Sequence, residues 1–445
     1  MLLKFTVKNY RSFRNASTLD MIASNEQRFR SRLPKIKKRY DVTLTPVAAI
    51  FGANAAGKSN FIEALQDLKD VLIRPLQHGK LLPYTPFLMD KNTREQPTEF
   101  EILFFYRDKI YEYKISYHAR AIVTESLVEH LSRSEHLLFS RQGADVKVGE
   151  KIENEILNVH LQGVPDNVAL PAYFASMKEV DAEWWRKIVI PYRWIHSSAM
   201  IGSHFFADGK PISVPYIEIS EDILKKIDIG VSGFDRTRVE WESLRIAESD
   251  KELVLRSLLT EQTQRVVLEM NGKRFEAFIA DDGEIAVEET RLVHHGTDDD
   301  YVLEWSQESE GTRIVIRLLF LFALLSLPRV NVVLLIDELD RSFHTELSRA
   351  LIDGFLSNCS PDSRAQLIFT THDLLLLDPD RFRRDEMWVV EKNLEGSSSM
   401  ISIAEYNTGR KGADLRKAYL AGRFGGVPSI DPLDFSELPS DLSVV

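Results

Sequence analysis

The chain has 445 residues, 44% of them hydrophobic and 28% charged, with a net charge of −11 and one cysteine. This is the composition of a globular protein large enough for two or three domains, and it excludes both an intrachain disulfide framework and a protein that coats nucleic acid over its whole surface. The longest apolar run, 318–327, is too short to span a bilayer, and the opening octet alternates like a strand instead of reading as a signal peptide, so a cytoplasmic setting with no membrane is expected.

After that first strand, Arg28, Arg30, Arg32, Lys35, Lys37, Lys38 and Arg39 crowd residues 28–39, with Phe29 and Tyr40 interleaved. Contacts to DNA phosphates need this density of charge; the alternative is a solvated loop. Residues 47–51 form a short apolar run that reads as a buried parallel strand. Gly52 to Ser59 then spell G-x-x-x-x-G-K-[ST], and Phe61, Leu65, Leu68 and Leu72 follow at helical spacing over 60–76. Strand, glycine loop and helix are the setting in which this pattern grips phosphate. Gly52 and Gly57 let successive N–H groups converge at a helix N-terminus, Lys58 would reach the β- and γ-phosphates of ATP, and Ser59 would bind Mg²⁺.

Alternating segments at 100–105 and 111–117, and again at 265–270 and 273–279 around Asn271-Gly272, predict two hairpins. Between them, residues 150–260 read as a mixed helical stretch without sustained heptads, so no long coiled-coil arm is expected. Its aromatics, Trp184, Trp185, Tyr192 and Trp194, read as core. His294, His295, Asp298, Asp299 and Asp300 resemble a metal cluster but sit in a polar sequence and are expected to be a solvated loop.

Ser309 and Gly311 open an apolar helix over 313–327 that Pro328 stops; a serine hydroxyl, a glycine N–H and a helix dipole together can read a phosphate. The aliphatic run 331–336 ends in Asp337 and Glu338, the first placed to hold Mg²⁺ and the second to orient an attacking water. A further strand at 366–371 delivers His372 at its carboxyl end, where α/β sheets place ligands.

This order of motifs resembles the ABC-type ATPases of the SMC, RecF and OLD class. Residues 7–13, the Gly52-Ala53-Asn54 entry and residues 419–428 carry a closer likeness to small prokaryotic AAA-family ATP-binding proteins of phage-defence operons. The resemblance implies an α/β fold: an ABC-type head, made of a P-loop sheet with flanking helices and an antiparallel β lobe, carrying an inserted, mainly helical domain. It assigns Asn54 to the phosphate loop, Ser309 and Gly311 to the signature that completes a partner subunit's site, Asp340 to the dimer-contacting loop, Glu338 to the base and His372 to the γ-phosphate switch. Two departures stand out. Neither Gln66 nor Gln77 is placed as a Q-loop glutamine, and the signature reads Glu-Ser-Glu-Gly-Thr in place of the transporters' Leu-Ser-Gly-Gly-Gln.

The expected organisation is a first half-head at 1–130, the insertion at 131–262, a second half-head at 263–400 and a C-terminal extension at 401–445 available for partner docking. The expected activity is ATP hydrolysis by a dimer of heads or a higher oligomer that senses or holds a target. Such a switch would control a separately encoded effector, such as a Toprim-type nuclease, in anti-phage defence. Glu391 superficially suggests a Toprim glutamate, but the remainder of the chain after His372 offers no second nuclease motif. A RecF-like DNA-repair ATPase and a scaffold with structural ATP are the alternatives.

Overall fold

The computed structural model describes residues 1–37, 40–73, 80–150, 152–177, 182–201, 212–214, 217, 219–244, 246–260, 265–327, 330–341, 343–406 and 414–427. Lys38, Arg39, Gln77, Pro328 and Pro428 of the motifs above lie outside them.

The central sheet runs in the order Ala199–Ile201, Val333–Ile336, Gln366–Thr370, Val47–Phe51, Met387–Lys392, Ser398–Ser402. The first five strands are parallel and the last is antiparallel. Its inner strands are largely apolar because both faces are covered, with Gln366 and Thr370 as buried polar exceptions. Ala48, Ile50, Val333, Leu335 and Ile368 point into one core with the phosphate-loop helix Lys58–Ile73, whereas Val47, Ala49, Phe51, Leu334, Ile336, Leu367 and Phe369 point into another with the helices Glu310–Ser326 and Thr345–Asn358.

A seven-stranded antiparallel lobe is built from Asp145–Val148, Glu135–Gln142, Ile122–His130, Lys109–Tyr117, Thr98–Tyr106, Leu2–Lys8 and Ser17–Asp20, in that order. The expected first hairpin closes through Arg107 and Asp108, both left-handed at φ 47° and 60°, the geometry of a two-residue hairpin turn. Buried Gln366 joins lobe and core sheet: its side chain accepts from the Leu2 N–H at 2.7 Å and donates to the Leu2 carbonyl at 2.9 Å.

A third, antiparallel sheet contains Ile212–Val214, Arg265–Met270, Lys273–Ile279, Ile285–His295 and Val231–Val239, with Asp300–Leu303 paired to the end of Ile285–His295. The second expected hairpin is its centre. The 131–262 insertion is drawn differently from the expectation. Glu135–Gln142 and Asp145–Val148 extend the lobe, Ala199–Ile201 joins the core sheet, and Val231–Val239 joins the third sheet. Among the described residues, the helices Glu155–Leu161, Leu170–Ser176, Glu183–Ile188 and Ile190–Ser198 form a compact helical part, while Glu221–Lys226 and Glu248–Thr260 pack on the third sheet. A three-residue strand such as Ala199–Ile201 carries no readable period, which is why the sequence concealed it.

Part of the C-terminal extension is also core. Tyr419 and Phe424 are buried, and the Tyr419 hydroxyl donates to the Gly426 carbonyl at 2.7 Å. Among the described residues no helix is long and apolar enough to cross a membrane.

Trp184, Trp185 and Trp194 are buried, as the reading of these aromatics as core requires. Trp194 stacks on Phe104 of the lobe with ring centroids 4.6 Å apart. Trp194→Ala should therefore destabilise the protein by about 3–5 kcal/mol, read as a lower midpoint of denaturant unfolding with an unchanged slope.

Candidate functional site

The loop after Val47–Phe51 depends on two glycines. Gly52 has φ +154° and a Cβ there would lie 2.4 Å from the Val390 carbonyl oxygen; Gly57 has φ +115° and a Cβ would lie 2.5 Å from Ser398 Oγ and 2.7 Å from Ser12 Oγ. Neither site has room for a side chain, so the backbone N–H groups at the start of Lys58–Ile73 stay open to a ligand. Asn54 lies exposed on the loop and Ser59 at the first turn of the helix.

Lys58 is buried, and its ammonium donates to the Gly52 carbonyl at 2.9 Å and the Ala53 carbonyl at 3.1 Å. It also lies 3.3 Å from His372 Nδ1. Burial pushes its pKa below the ordinary lysine value, and the nearby Asp337, Glu338 and Asp340 pull it back up.

Asp337 and Glu338 leave the strand Val333–Ile336, next to Gln366–Thr370. Glu338 adopts φ +52°, an uncommon conformation for a glutamate and of the kind that collects at functional sites. Thr370 holds it there. The Glu338 N–H donates to Thr370 Oγ1 at 2.7 Å, and the Thr370 hydroxyl donates to Asp337 Oδ1 at 2.5 Å. One buried hydroxyl thus orients both acids. His372 Nε2 is 3.6 Å from Glu338 Oε1, and the His372 N–H faces the Asp340 carboxylate at 3.3 and 3.4 Å. Asp340, expected to face a partner subunit, thus also meets the backbone of His372 in its own chain.

Lys58, Asp337, Glu338, Asp340 and His372 therefore converge beside the loop of Gly52, Asn54, Gly57 and Ser59. Ser309 and Gly311 belong to another element. Ser309 is the N-cap of Glu310–Ser326, and its exposed Oγ accepts from the Thr312 N–H at 3.0 Å. The helix starts at Glu310, three residues ahead of the expected 313, because this cap satisfies its first turn. A cavity of about 330 Å³ lies between the first turns of this helix and the strand end, lined by Glu310, Arg317, Asp337, Glu338 and Arg341 among others.

Sequence reasoning missed Thr370, Ser12, Asn60 and Ser398. Asn60 Nδ2 donates to Ser12 Oγ at 2.7 Å, and the Ser398 hydroxyl donates to the Ala56 carbonyl at 2.5 Å, bracing the loop from a turn of the lobe and from an edge strand of the core sheet. Ser12 and Asn60 also edge a cavity of about 540 Å³ whose walls include Arg11, Tyr84, Phe87 and Lys392. The Arg-Ser pair of residues 11 and 12 was the available signal.

The basic segment and the His–Asp cluster both have partners inside the chain. Arg28 pairs with Glu26, Arg32 with buried Glu386, and Lys37 with Asp362. His294 and His295 are not loop residues: they end the strand Ile285–His295, and His294 Nε2 lies 2.6 Å from Oε1 of buried Glu308. The Glu308 contact and the strand pairing partly cover His294, whereas His295, Asp298, Asp299 and Asp300 are exposed, as expected of them. No cluster able to hold a metal through three or more His, Cys, Asp or Glu side chains occurs among the described residues.

The family described as "AAA domain, putative AbiEii toxin, Type IV TA system" matches residues 47–158 and 199–378. The chain belongs to this family. The match takes in the phosphate loop, the signature helix, both acids and His372 of the AAA chain, and passes over most of the compact helices. The assignment is an ATPase-type, nucleotide-binding domain on an α/β head. Among solved structures, the chain is similar to the SMC head domain from Thermotoga maritima, at TM-score 0.34 and 12% identity over 90% of this chain and 98% of that one. No curated protein matches.

Thr370→Val keeps the volume and strand preference but removes the hydroxyl that orients Asp337 and Glu338. Nucleotide turnover should fall roughly tenfold to a hundredfold, with Thr370→Ser close to the parent; a steady-state phosphate-release assay on both variants checks this.

Proposed function

We propose that this AAA-family chain is an ATP-driven dimerising switch, which binds and hydrolyses ATP between two heads and passes the closed or open state to a separately encoded effector. The observation that carries hydrolysis is Glu338, held at φ +52° beside His372 and the buried Lys58. A scaffold with structural ATP has no need of a glutamate kept in that conformation.

The residues present fit the expected ligands. The cradle at Gly57 admits no side chain, which leaves its N–H groups for phosphate oxygens, and a serine hydroxyl with a carboxylate is a hard-oxygen set suited to Mg²⁺. Ser59 and Asp337 would hold Mg²⁺, which when bound neutralises charge on the phosphoryl oxygens. Lys58 exchanges the loop carbonyls for the β- and γ-phosphates. Glu338 accepts a proton from the attacking water, and His372 contacts the γ-phosphate from the neighbouring strand end. Ser309, exposed at a helix N-terminus, contributes its hydroxyl to the nucleotide of a facing head, which makes the site composite and dimerisation dependent on ATP.

The defence role, with a Toprim-type nuclease as the effector class, is supported by the family description and by the motif order. It is tested by whether cells carrying the chain together with its neighbouring gene resist phage, and whether Lys58→Ala abolishes that resistance.

Glu338→Gln should bind ATP and hydrolyse it about a hundredfold more slowly or worse, accumulating a closed dimer visible by size-exclusion chromatography with ATP; near-normal turnover would place the base elsewhere. Ser309→Arg should retain ATP binding by the monomer and lose hydrolysis. Mixed with Lys58→Ala under subunit exchange it should recover part of the activity, since each variant supplies the half that the other lacks. Full activity of Ser309→Arg alone would reduce Ser309 to a helix cap.

A further inference from the structure

Ser309 owes its position to residues that lie outside the nucleotide core. The segment leading into it is held at each step by the third sheet. Trp305, 2% exposed, lies against the guanidinium groups of Arg274 and Arg317, at 5.2 and 5.7 Å from its ring centroid. Ser306 abuts the left-handed turn residue Gly272, where a Cβ would come within 2.6 Å of Ser306 Cβ. Buried Glu308, immediately before the serine, takes the 2.6 Å contact from His294. Two turns into the signature helix, Arg317 Nε donates to Glu269 Oε2 at 2.8 Å, and Arg274 Nη1 donates to the other oxygen of the same carboxylate at 2.7 Å.

These contacts come from three different strands, Arg265–Met270, Lys273–Ile279 and Ile285–His295, and from the turn between the first two. Several are charge-assisted bonds shielded from water, which are stronger and more directional than exposed pairs. A displacement of the sheet must therefore carry Trp305, Glu308 and Arg317 with it or break bonds that leave charges buried. The phosphate loop, by contrast, is braced by Ser12 and Ser398 from the lobe and the core-sheet edge. The two halves of the proposed composite site are thus fixed by different parts of the molecule.

We infer that the sheet of residues 212–303 is the control element for the signature half, with His294 and Glu269 acting as positioning residues for Ser309. It rests on the composite-site reading. A change in the position of this sheet then alters hydrolysis through Ser309 while the affinity of the phosphate loop for ATP is left alone.

Complementation separates this from a structural role. His294→Ala should bind ATP like the parent by calorimetry and hydrolyse it roughly tenfold to a hundredfold more slowly, while His294→Gln, which restores an N–H donor, should regain much of the rate. Mixed with Lys58→Ala under subunit exchange, His294→Ala should recover activity; mixed with Ser309→Arg it should not, because both variants then lack the same half. Glu269→Gln, which removes the charge facing Arg317 from a different strand at constant volume, should fall in the same group and stands in if His294→Ala fails to fold. Recovery with Ser309→Arg, or parent-like turnover by both variants, overturns the inference. If Ser309→Arg and Lys58→Ala themselves fail to complement, the composite-site reading falls and the inference with it; if they complement while His294→Ala and Glu269→Gln do not recover with Lys58→Ala, the inference alone falls.

Discussion

The Lys58 ammonium is buried where parallel strands end, and a cation removed from water requires compensating contacts on every side. Two loop carbonyls meet it directly, His372 lies beside it, and Asp337, Glu338 and Asp340 oppose the burial that lowers its pKa. Val47–Phe51 has Gln366–Thr370 as its neighbour and Val333–Ile336 one strand beyond, so loop, acids and histidine share one end of the sheet around that group. A phosphate would offer the ammonium a better partner than two neutral carbonyls.

The same economy appears in the hydroxyl of Thr370. By accepting from the Glu338 N–H and donating to Asp337, it orients two neighbouring acids at once. The left-handed backbone at Glu338 costs on the order of 1 kcal/mol or more and persists because the bond to Thr370 and the neighbouring Leu339 N–H to Thr370 carbonyl bond at 3.0 Å over-determine it. Local strain and local hydrogen bonding together aim a carboxylate that a relaxed chain would turn elsewhere.

Around this centre the molecule divides its labour. The lobe and the core-sheet edge brace the phosphate loop, whereas the third sheet braces the helix that begins with Ser309. The basic segment is also paired in part inside the chain, with Arg28, Arg32 and Lys37 each meeting an acid. A run of cations so conspicuous in one dimension thus meets, in Glu386 and Asp362, acids from far along the chain.

The sequence by itself determined the features governed by short-range rules. Gly52 and Gly57 announce a backbone that tolerates no Cβ, the apolar run before them announces a strand covered on both faces, and the spacing of Phe61, Leu65, Leu68 and Leu72 announces the buried side of a helix; all four of those side chains are buried. The pairs Arg107-Asp108 and Asn271-Gly272 marked their hairpins because turn geometry depends on adjacent residues. Tertiary structure alone decided which sheet each strand of residues 131–262 joins, that Thr370 couples Asp337 to Glu338, and that His294 meets Glu308 as part of a strand. Hydrophobic period reports that a segment has an inner face but not what lies against it, and a hydrogen bond or ion pair between residues far apart in the chain leaves no periodic trace. The chemistry was therefore legible where the backbone itself makes it, and hidden where a partner from another strand completes it.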